Sequence, residues 1–253
     1  IGALGSPTST VEELHLLAKL VRGLGSENID HRLRHSDFGT AAAGSQTAQW
    51  LGCSISSLSS LQRVLVVGSF LRKDHPLFAQ RIRQAARKGA KVHSLNAVDD
   101  DWLMTMAAGI TAAPSGWAQG LADIATAVAA AQGIAAPLPG QAHAQAQAVA
   151  ASLLGGERKA VLLGNSAAHH PQANTLLALA AWIGARTGAT VGYLGEAANN
   201  VGAQLVGAVP GSGGLHAGEM LAGASAAPLA ACDAAAAGLM EGGRSVSFPP
   251  RRS

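Results

Sequence analysis

The chain has 253 residues, enough for one large α/β domain or two smaller ones with a substantial buried core. Its hydrophobic content of 48% is that of a globular protein, and its net charge of +3 comes from scattered arginines and lysines. No basic run is interleaved with aromatic residues, which argues against nucleic-acid binding. The alanine-rich stretches are interrupted by Gln, His and Pro, so they do not reach the ~18–20 apolar residues of a membrane span.

The two cysteines, Cys53 and Cys232, are far apart and in different contexts. Alone they cannot form an iron–sulfur or zinc site, and a structural disulfide between them is disfavoured against two free thiols. A reducing, cytoplasmic setting is the default. The chain starts at Ile1 without a signal peptide, and we expect it to be a fragment of a longer protein.

A helix is predicted near the start of the chain. Thr10 and Glu13 fit a capping box, and apolar residues follow at helical spacing up to Val21. The glycines at 23 and 25 predict its end.

The next segment, Ser26–Phe38, is rich in charge and histidine. His31 and His35 are four residues apart, which would place both on one face of a helix. A metal site on this pair is disfavoured, because no third ligand is near and zinc sites need three or four. The favoured interpretation is a buried or semi-buried loop held by its own ion pairs, and no metal ligand is assigned.

The stretch Arg63–Asn96 predicts one βαβ unit. An apolar β-branched run is followed by Gly68, a polar loop ends at His75-Pro76, and a helical pattern runs to Gly89. Proline in the first turn of a helix and glycine just after its last residue are the residues expected at helix boundaries. A second apolar run then returns as a parallel strand.

Two further helices are predicted between this unit and the next, over Ser115–Ala131 and His143–Leu154. The two prolines between them, at 137 and 139, mark a break.

The βαβ pattern then recurs over Lys159–Val191. An apolar strand ends at Gly164, a polar loop ends at His170-Pro171, and a helix closes at a Gly-Ala pair. Two such units predict an α/β fold with doubly wound parallel sheets, in which two Rossmann-like units are related as an internal repeat.

These patterns divide the chain into an α/β region, 1–222, and a tail, 223–253. Within the first region the two units span about 60–110 and about 157–215. The tail is mostly Ala, Gly and Ser with no amphipathic face, so we expect it to be poorly ordered.

Glycines directly after parallel strands allow a phosphate to approach backbone N–H groups. Gly68-Ser69 and Gly164-Asn165 both have this position, but the chain has neither G-x-G-x-x-G nor a P-loop. Taken alone, each loop is more often structural. His75 and His170 are interpreted as residues that fix turns rather than as general bases, and no catalytic triad stands out, so no catalytic residue is predicted.

Three segments together resemble the molybdopterin oxidoreductase superfamily. They are GSPTSTVEELHLLAKLVRGLGSENIDHR, VLVVGSFLRKDHPLFAQRIRQAARKGAKV and TGATVGYLGEAANNVGAQLVGAVPG, which span most of residues 2–220. The sequence of the first segment, with GSENIDHRLRHSDF, is most similar to the large iron–sulfur subunits of bacterial NADH:quinone oxidoreductase, respiratory complex I. Catalytic members of the superfamily usually have an Asp at the end of the second strand, where this chain has Ser94-Leu95-Asn96-Ala97, and a small residue where it has Arg32.

The resemblance implies a non-catalytic scaffold part of that iron–sulfur subunit, supporting electron transfer from NADH to quinone. It implies no cofactor within this chain, with iron–sulfur clusters in an upstream part, and contacts to other peripheral-arm subunits. It also implies a peripheral location on the cytoplasmic side of the bacterial inner membrane. The residues expected to remain from a former cofactor site are Gly68, Ser69, His75, Gly164, Asn165, Asn199 and Asn200. The alternative is the cofactor-binding region of a molybdopterin-dependent oxidoreductase such as a formate dehydrogenase.

Overall fold

The computed structural model describes residues 1–38 and 48–224. The predicted tail lies outside the described residues except for its first two, and so does Cys232. The described part forms two compact units, one of residues 34–201 and one that combines residues 1–33 with residues from 202 onward. None of the helices in the described ranges is both long and apolar enough to cross a membrane.

The unit of residues 1–33 and 202 onward contains a two-stranded parallel sheet and a long helix. Strand β1 is Ala3–Leu4, helix α1 is Val11–Gly23 and strand β2 is Ile29–Asp30. The predicted capping box is confirmed: Glu13 N–H donates to Thr10 Oγ1 (3.2 Å), and Thr10 N–H donates to the Glu13 carboxylate (2.9 Å). Buried α1 side chains such as Leu14 and Val21 pack on Ile29 in a small apolar core.

The unit of residues 34–201 is built on a five-stranded sheet. Its elements, in chain order, are strand β3 (Arg63–Val67), helices α2 (Leu71–Asp74) and α3 (Pro76–Arg87), strands β4 (Lys91–Asn96) and β5 (Ala108–Thr111), helices α4 (Trp117–Gln132) and α5 (Ala144–Leu154), strand β6 (Lys159–Leu163), helices α6 (Asn165–Ala168) and α7 (Ala173–Thr187), and strand β7 (Thr190–Tyr193). Helices α8 (Asn200–Leu205) and α9 (Ala217–Ala224) follow, and from residue 202 onward they belong to the other unit. Short 3-10 helices cover Ile55–Ser60 and Pro114–Gly116.

All strand pairs of this sheet are parallel, in the order β5-β4-β3-β6-β7. The predicted α/β fold class is therefore confirmed. The direction of winding reverses between β3 and β6, and the carboxyl ends of strands at such a switch point are where open α/β sheets bind ligands.

The sheet is covered by apolar side chains on both faces because side chains alternate along each strand. Leu65 and Val67 of β3 pack with α4, α5 and α7. Val64 and Val66 pack on the opposite face with residues of α3 such as Ile82. This two-sided burial explains why the central strands are continuous apolar runs.

Candidate functional site

The loops after β3 and β6 meet at the switch point of the sheet. Gly68 has φ +64°, and its N–H donates to Leu95 O (3.0 Å). The N–H of Gly164 donates to Val67 O (2.8 Å), and the N–H of Ser166 donates to the Gly68 carbonyl (3.0 Å). These backbone N–H groups already have partners within the protein, so they do not form an open phosphate cradle.

The glycine at 164 is required by the packing of these two loops. A Cβ added there would lie 2.2 Å from the Ser69 Cβ and 2.6 Å from the Gly68 carbonyl oxygen. Both distances are far below van der Waals contact, so the two predicted loops pack directly on each other.

Ser69 is held by Asn96, the last residue of β4. Its N–H donates to Asn96 Oδ1 (3.0 Å), and Asn96 Nδ2 donates to the Ser69 carbonyl (2.8 Å). The Ser69 hydroxyl donates to Asp74 Oδ2 (3.1 Å). Both ends of the Asn96 carboxamide are therefore used to hold the loop, a role that a carboxylate could fill only on the accepting side.

His75 and Asn165 present buried polar atoms at this edge. Neither His75 Nε2 nor Asn165 Oδ1 makes a hydrogen bond of normal geometry to any described residue, although both atoms are inaccessible to solvent. Burial lowers the pKa of His75, and the nearby Asp74 carboxylate and Asn165 carboxamide offset only part of that effect. A buried polar atom without an aligned partner is costly, and a polar ligand would remove that cost.

His170 has the turn-fixing role that the sequence predicts. Its Nε2 lies 2.9 Å from Pro114 O, and its Nδ1 accepts from the N–H of Gln172 (3.0 Å). The ring also stacks on Trp117, with centroids 5.8 Å apart. His170 is thus part of the support of the loop after β6.

The predicted pair Asn199 and Asn200 follows the next strand, β7, rather than the switch point. Asn199 is in a turn and Asn200 begins α8, and both are half-buried. The structure therefore brings Gly68, Ser69 and Gly164 into contact, and it leaves the two asparagines at the end of the neighbouring strand.

A second cluster, which no sequence motif marks, lies at the carboxyl ends of β6 and β7. His35 Nε2 is 3.2 Å from Glu196 Oε1, and His169 Nε2 is hydrogen-bonded to Glu196 Oε2. The two imidazoles meet edge to face, with centroids 5.2 Å apart. We call these three residues the His-Glu-His cluster. Its signal in the sequence is position: His169 and Glu196 each come a few residues after one of two adjacent parallel strands.

Glu196 supplies the carboxylate of this cluster. Burial alone would raise the pKa of its carboxyl, but hydrogen bonds and charge interactions with His169 and His35 hold that pKa well below its ordinary value. Glu196 is therefore an anion at neutral pH, with 10% of its side chain exposed.

Residues 31–38 are not helical, so the favoured interpretation of this segment as a loop agrees with the structure, and His31 and His35 do not share a helix face. His31 Nδ1 instead lies 2.9 Å from Ala208 O. The predicted loop ion pair is present between Arg32 and Asp30, with Nε to Oδ1 at 2.9 Å. Asp30 is fully buried. Burial alone would raise the pKa of its carboxyl, but hydrogen bonds from His216 and Arg32 hold that pKa well below its ordinary value.

The sequence matches the family described as Molybdopterin oxidoreductase over residues 1–229. A curated relative, the F420-dependent formate dehydrogenase subunit alpha of Methanocaldococcus jannaschii, is 36% identical over 95 residues, which are 36% of this chain and 14% of that protein. Among solved structures, the formyltransferase/hydrolase complex FhcABCD from Methylorubrum extorquens, in complex with methylofuran, is similar with a TM-score of 0.48 at 17% identity. That match covers 76% of this chain and 52% of the other, so the chain spans only part of both proteins.

The expectation that this region has no cofactor is wrong. It rested on missing motifs, on the stretch Ser94-Leu95-Asn96-Ala97 and on Arg32, whereas the matched family and the formate dehydrogenase relative point to molybdopterin binding. The physical reason is that a site assembled from several strand ends requires no local fingerprint. The match over residues 1–229 establishes that this chain belongs to the molybdopterin oxidoreductase family.

Proposed function

We propose that this chain is the cofactor-binding region of a molybdopterin-dependent oxidoreductase, with the cofactor held at the carboxyl ends of β3 and β6. Formate is the proposed substrate class of the whole protein, because the curated relative is a formate dehydrogenase subunit. The observation that supports the binding edge most directly is that two buried polar atoms, His75 Nε2 and Asn165 Oδ1, make no hydrogen bond of normal geometry to the described residues.

These two residues fit a polar cofactor in complementary ways. The Asn165 oxygen accepts a hydrogen bond, and the neutral His75 ring can donate or accept one at Nε2 according to its tautomer. Because burial lowers the pKa of His75, the ring enters such a contact uncharged at neutral pH. When bound, a molybdopterin supplies the redox chemistry, and the residues of this edge hold and orient it.

The experiment measures cofactor occupancy in the natural full-length protein, purified from a host that makes molybdopterin. Oxidised pterin fluorescence and molybdenum content are determined per chain for wild type, Asn165→Ala and His75→Gln. Loss of one hydrogen bond of about 0.5–1.5 kcal/mol lowers cofactor affinity by about 2- to 13-fold in each variant. The expected result is stoichiometric pterin in wild type and reduced occupancy in both variants.

His15→Gln is the matched control, because His15 is exposed on α1 and lies outside the proposed edge. It should keep wild-type occupancy. Pterin absent from the wild-type protein, or occupancy equal in wild type and both edge variants, would contradict the proposal.

A second candidate is a part of the iron–sulfur subunit of NADH:quinone oxidoreductase. The observation that favours it is the stretch Ser94-Leu95-Asn96-Ala97, which has no acidic residue at the strand end where catalytic relatives usually have an Asp. Within it, Asn96 is hydrogen-bonded to Ser69 through both ends of its carboxamide. Under this candidate the partners are peripheral-arm subunits, and the location is the cytoplasmic side of the bacterial inner membrane.

The complete open reading frame distinguishes the two candidates. A cysteine or selenocysteine metal ligand upstream of this chain supports the molybdopterin enzyme. Several cysteine clusters after a ferredoxin-like start support the NADH:quinone oxidoreductase subunit. Co-purification with NADH:quinone activity is the biochemical counterpart of the second outcome.

A further inference from the structure

The His-Glu-His cluster combines three side chains from three separate loops. His35 precedes the sheet in the chain, His169 directly follows α6, and Glu196 follows β7. One ligand atom from each residue lies within 4.8 Å of the other two. Two imidazole nitrogens and one carboxylate oxygen form a donor set that proteins use for zinc and related divalent metals.

The distances suit a small metal ion. Four ligands at about 2.1 Å from zinc in a tetrahedron are about 3.4 Å apart, so no pair in this cluster needs to close by more than about 1.4 Å. Two imidazole Nε2 atoms already face the two oxygens of the same carboxylate. The arrangement is therefore near a coordination geometry without rebuilding any strand or long helix.

The donor groups also suit a cation. Glu196 supplies a carboxylate oxygen, and the two histidines supply imidazole nitrogens, which are donor types that bind divalent transition metals. The exposed side-chain fractions are 14% for His35, 23% for His169 and 10% for Glu196. A metal can reach the cluster from solvent, and water remains available as a fourth ligand.

The loop that carries His35 is anchored on both sides of the site. Ser36 Oγ donates to His169 O (3.2 Å), and the Asp37 carboxylate accepts from the N–H (2.9 Å) and the Nδ2 of Asn174. These bonds fix the His35 loop to the loop that carries His169 and to the start of α7. Ligands positioned by such supporting bonds bind metals more tightly than ligands on free loops.

We propose that His35 Nε2, His169 Nε2 and the Glu196 carboxylate bind one divalent transition-metal ion of the zinc class, with an open position for water. This site is separate from the His75 and Asn165 edge. It also differs in chemistry, because its ligands are imidazole and carboxylate groups that take a bare metal ion.

The test uses Zn²⁺ as the probe on the natural full-length protein after chelation and removal of the chelator. Calorimetric titration and elemental analysis give zinc equivalents per chain for wild type, Glu196→Gln, His169→Ala and His35→Ala. Each cluster variant is expected to lose one equivalent or to bind it at least tenfold more weakly. His15→Ala is the control, since it removes an exposed histidine outside the cluster, and it should keep the wild-type stoichiometry.

Glu196→Gln keeps the size of the side chain and removes only its charge, so it guards against loss of folding in the histidine variants. A second measurement is the thermal midpoint with and without Zn²⁺, which should rise for wild type and for His15→Ala only. Equal zinc stoichiometry in wild type and folded cluster variants would overturn the proposal and leave the three residues as a hydrogen-bonded network.

Discussion

Replacement of Asn96 by Asp tests the contact between the end of β4 and the loop after β3. Asn96 is 6% exposed, and its carboxamide both accepts from Ser69 N–H (3.0 Å) and donates to Ser69 O (2.8 Å). An aspartate keeps the first bond, but it places an acceptor oxygen against the buried Ser69 carbonyl. Losing one bond and leaving that carbonyl unsatisfied costs about 2–3 kcal/mol of the free energy of unfolding.

The pH dependence gives this prediction a second readout. When protonated, the carboxyl introduced by Asn96→Asp can donate to the Ser69 carbonyl, so the folded state should raise its pKa above the unfolded value of about 3.9. The variant should therefore be closest to wild type below the unfolded pKa. It should lose stability as the pH rises from there through the folded pKa. Asn96→Ala removes both bonds and should be destabilised without this pH dependence.

Urea unfolding of wild type and variants across pH 3–8 measures the effect. Gln80→Glu is the matched control, because it makes the same amide-to-acid change at an exposed position of α3. Surface changes of this kind stay within about 0.5 kcal/mol. A similarly small, pH-independent change for Asn96→Asp would refute the assigned role of the carboxamide.

Two further predictions concern packing and a buried base. Gly164→Ala should lower the free energy of unfolding by about 1–3 kcal/mol, because its Cβ would lie 2.2 Å from the Ser69 Cβ. Gly23→Ala is the control, because its Cβ would meet no atom within 4 Å, and it should be neutral or stabilising. Urea unfolding measures both variants. His93 is buried, and desolvation, with the charge of Arg63, lowers its pKa from 6.5 to about 4. The unfolded chain therefore takes up a proton that the folded chain does not, so stability should fall by about 3 kcal/mol as the pH drops from 6.5 to 4. His93→Leu should remove that slope, and an unchanged slope would contradict the assignment.

The sequence predicts the central strands well because their signals are local. The runs that form β3 and β6 are apolar, β-branched and closed by glycine, and each is followed by a helix with proline at or near its start. Strand β5, Ala108–Thr111, was not predicted, because AGIT has one large apolar side chain and no alternation. Its strand conformation comes from pairing with β4, which is a tertiary effect.

The His-Glu-His cluster could not be found by spacing, because its two histidines are 27 and 161 residues apart from Glu196. Along the chain, no third ligand lies near His31 and His35, which is why a metal site was disfavoured there. In a parallel sheet the third ligand comes from a neighbouring strand end, which is close in space and remote in sequence. Prediction of this cluster therefore requires the strand order β3-β6-β7, because the adjacency of β6 and β7 brings His169 close to Glu196.

The prediction of an absent cofactor failed for a related reason. It takes the lack of an acidic group in Ser94-Leu95-Asn96-Ala97 as the loss of a cofactor contact, but both ends of the Asn96 carboxamide hold Ser69, so the identity of that residue reflects loop packing. At the carboxyl edge of the sheet, His75 and Asn165 have buried polar atoms without a hydrogen bond of normal geometry, and only the folded chain shows that burial. A sequence motif records residue types, whereas an unsatisfied atom is a property of the fold.

The short helix α6 connects the two proposed sites. Asn165 is its first residue, and His169 directly follows its last. The backbone of the helix joins them, since His169 N–H donates to Asn165 O (2.9 Å). A metal bound at His169 would restrict this turn, and thereby the backbone that carries the Asn165 carboxamide. Zinc should therefore alter cofactor retention in wild type and in His15→Ala but not in Glu196→Gln, because coupling between two sites requires a shared element that both ligands bias.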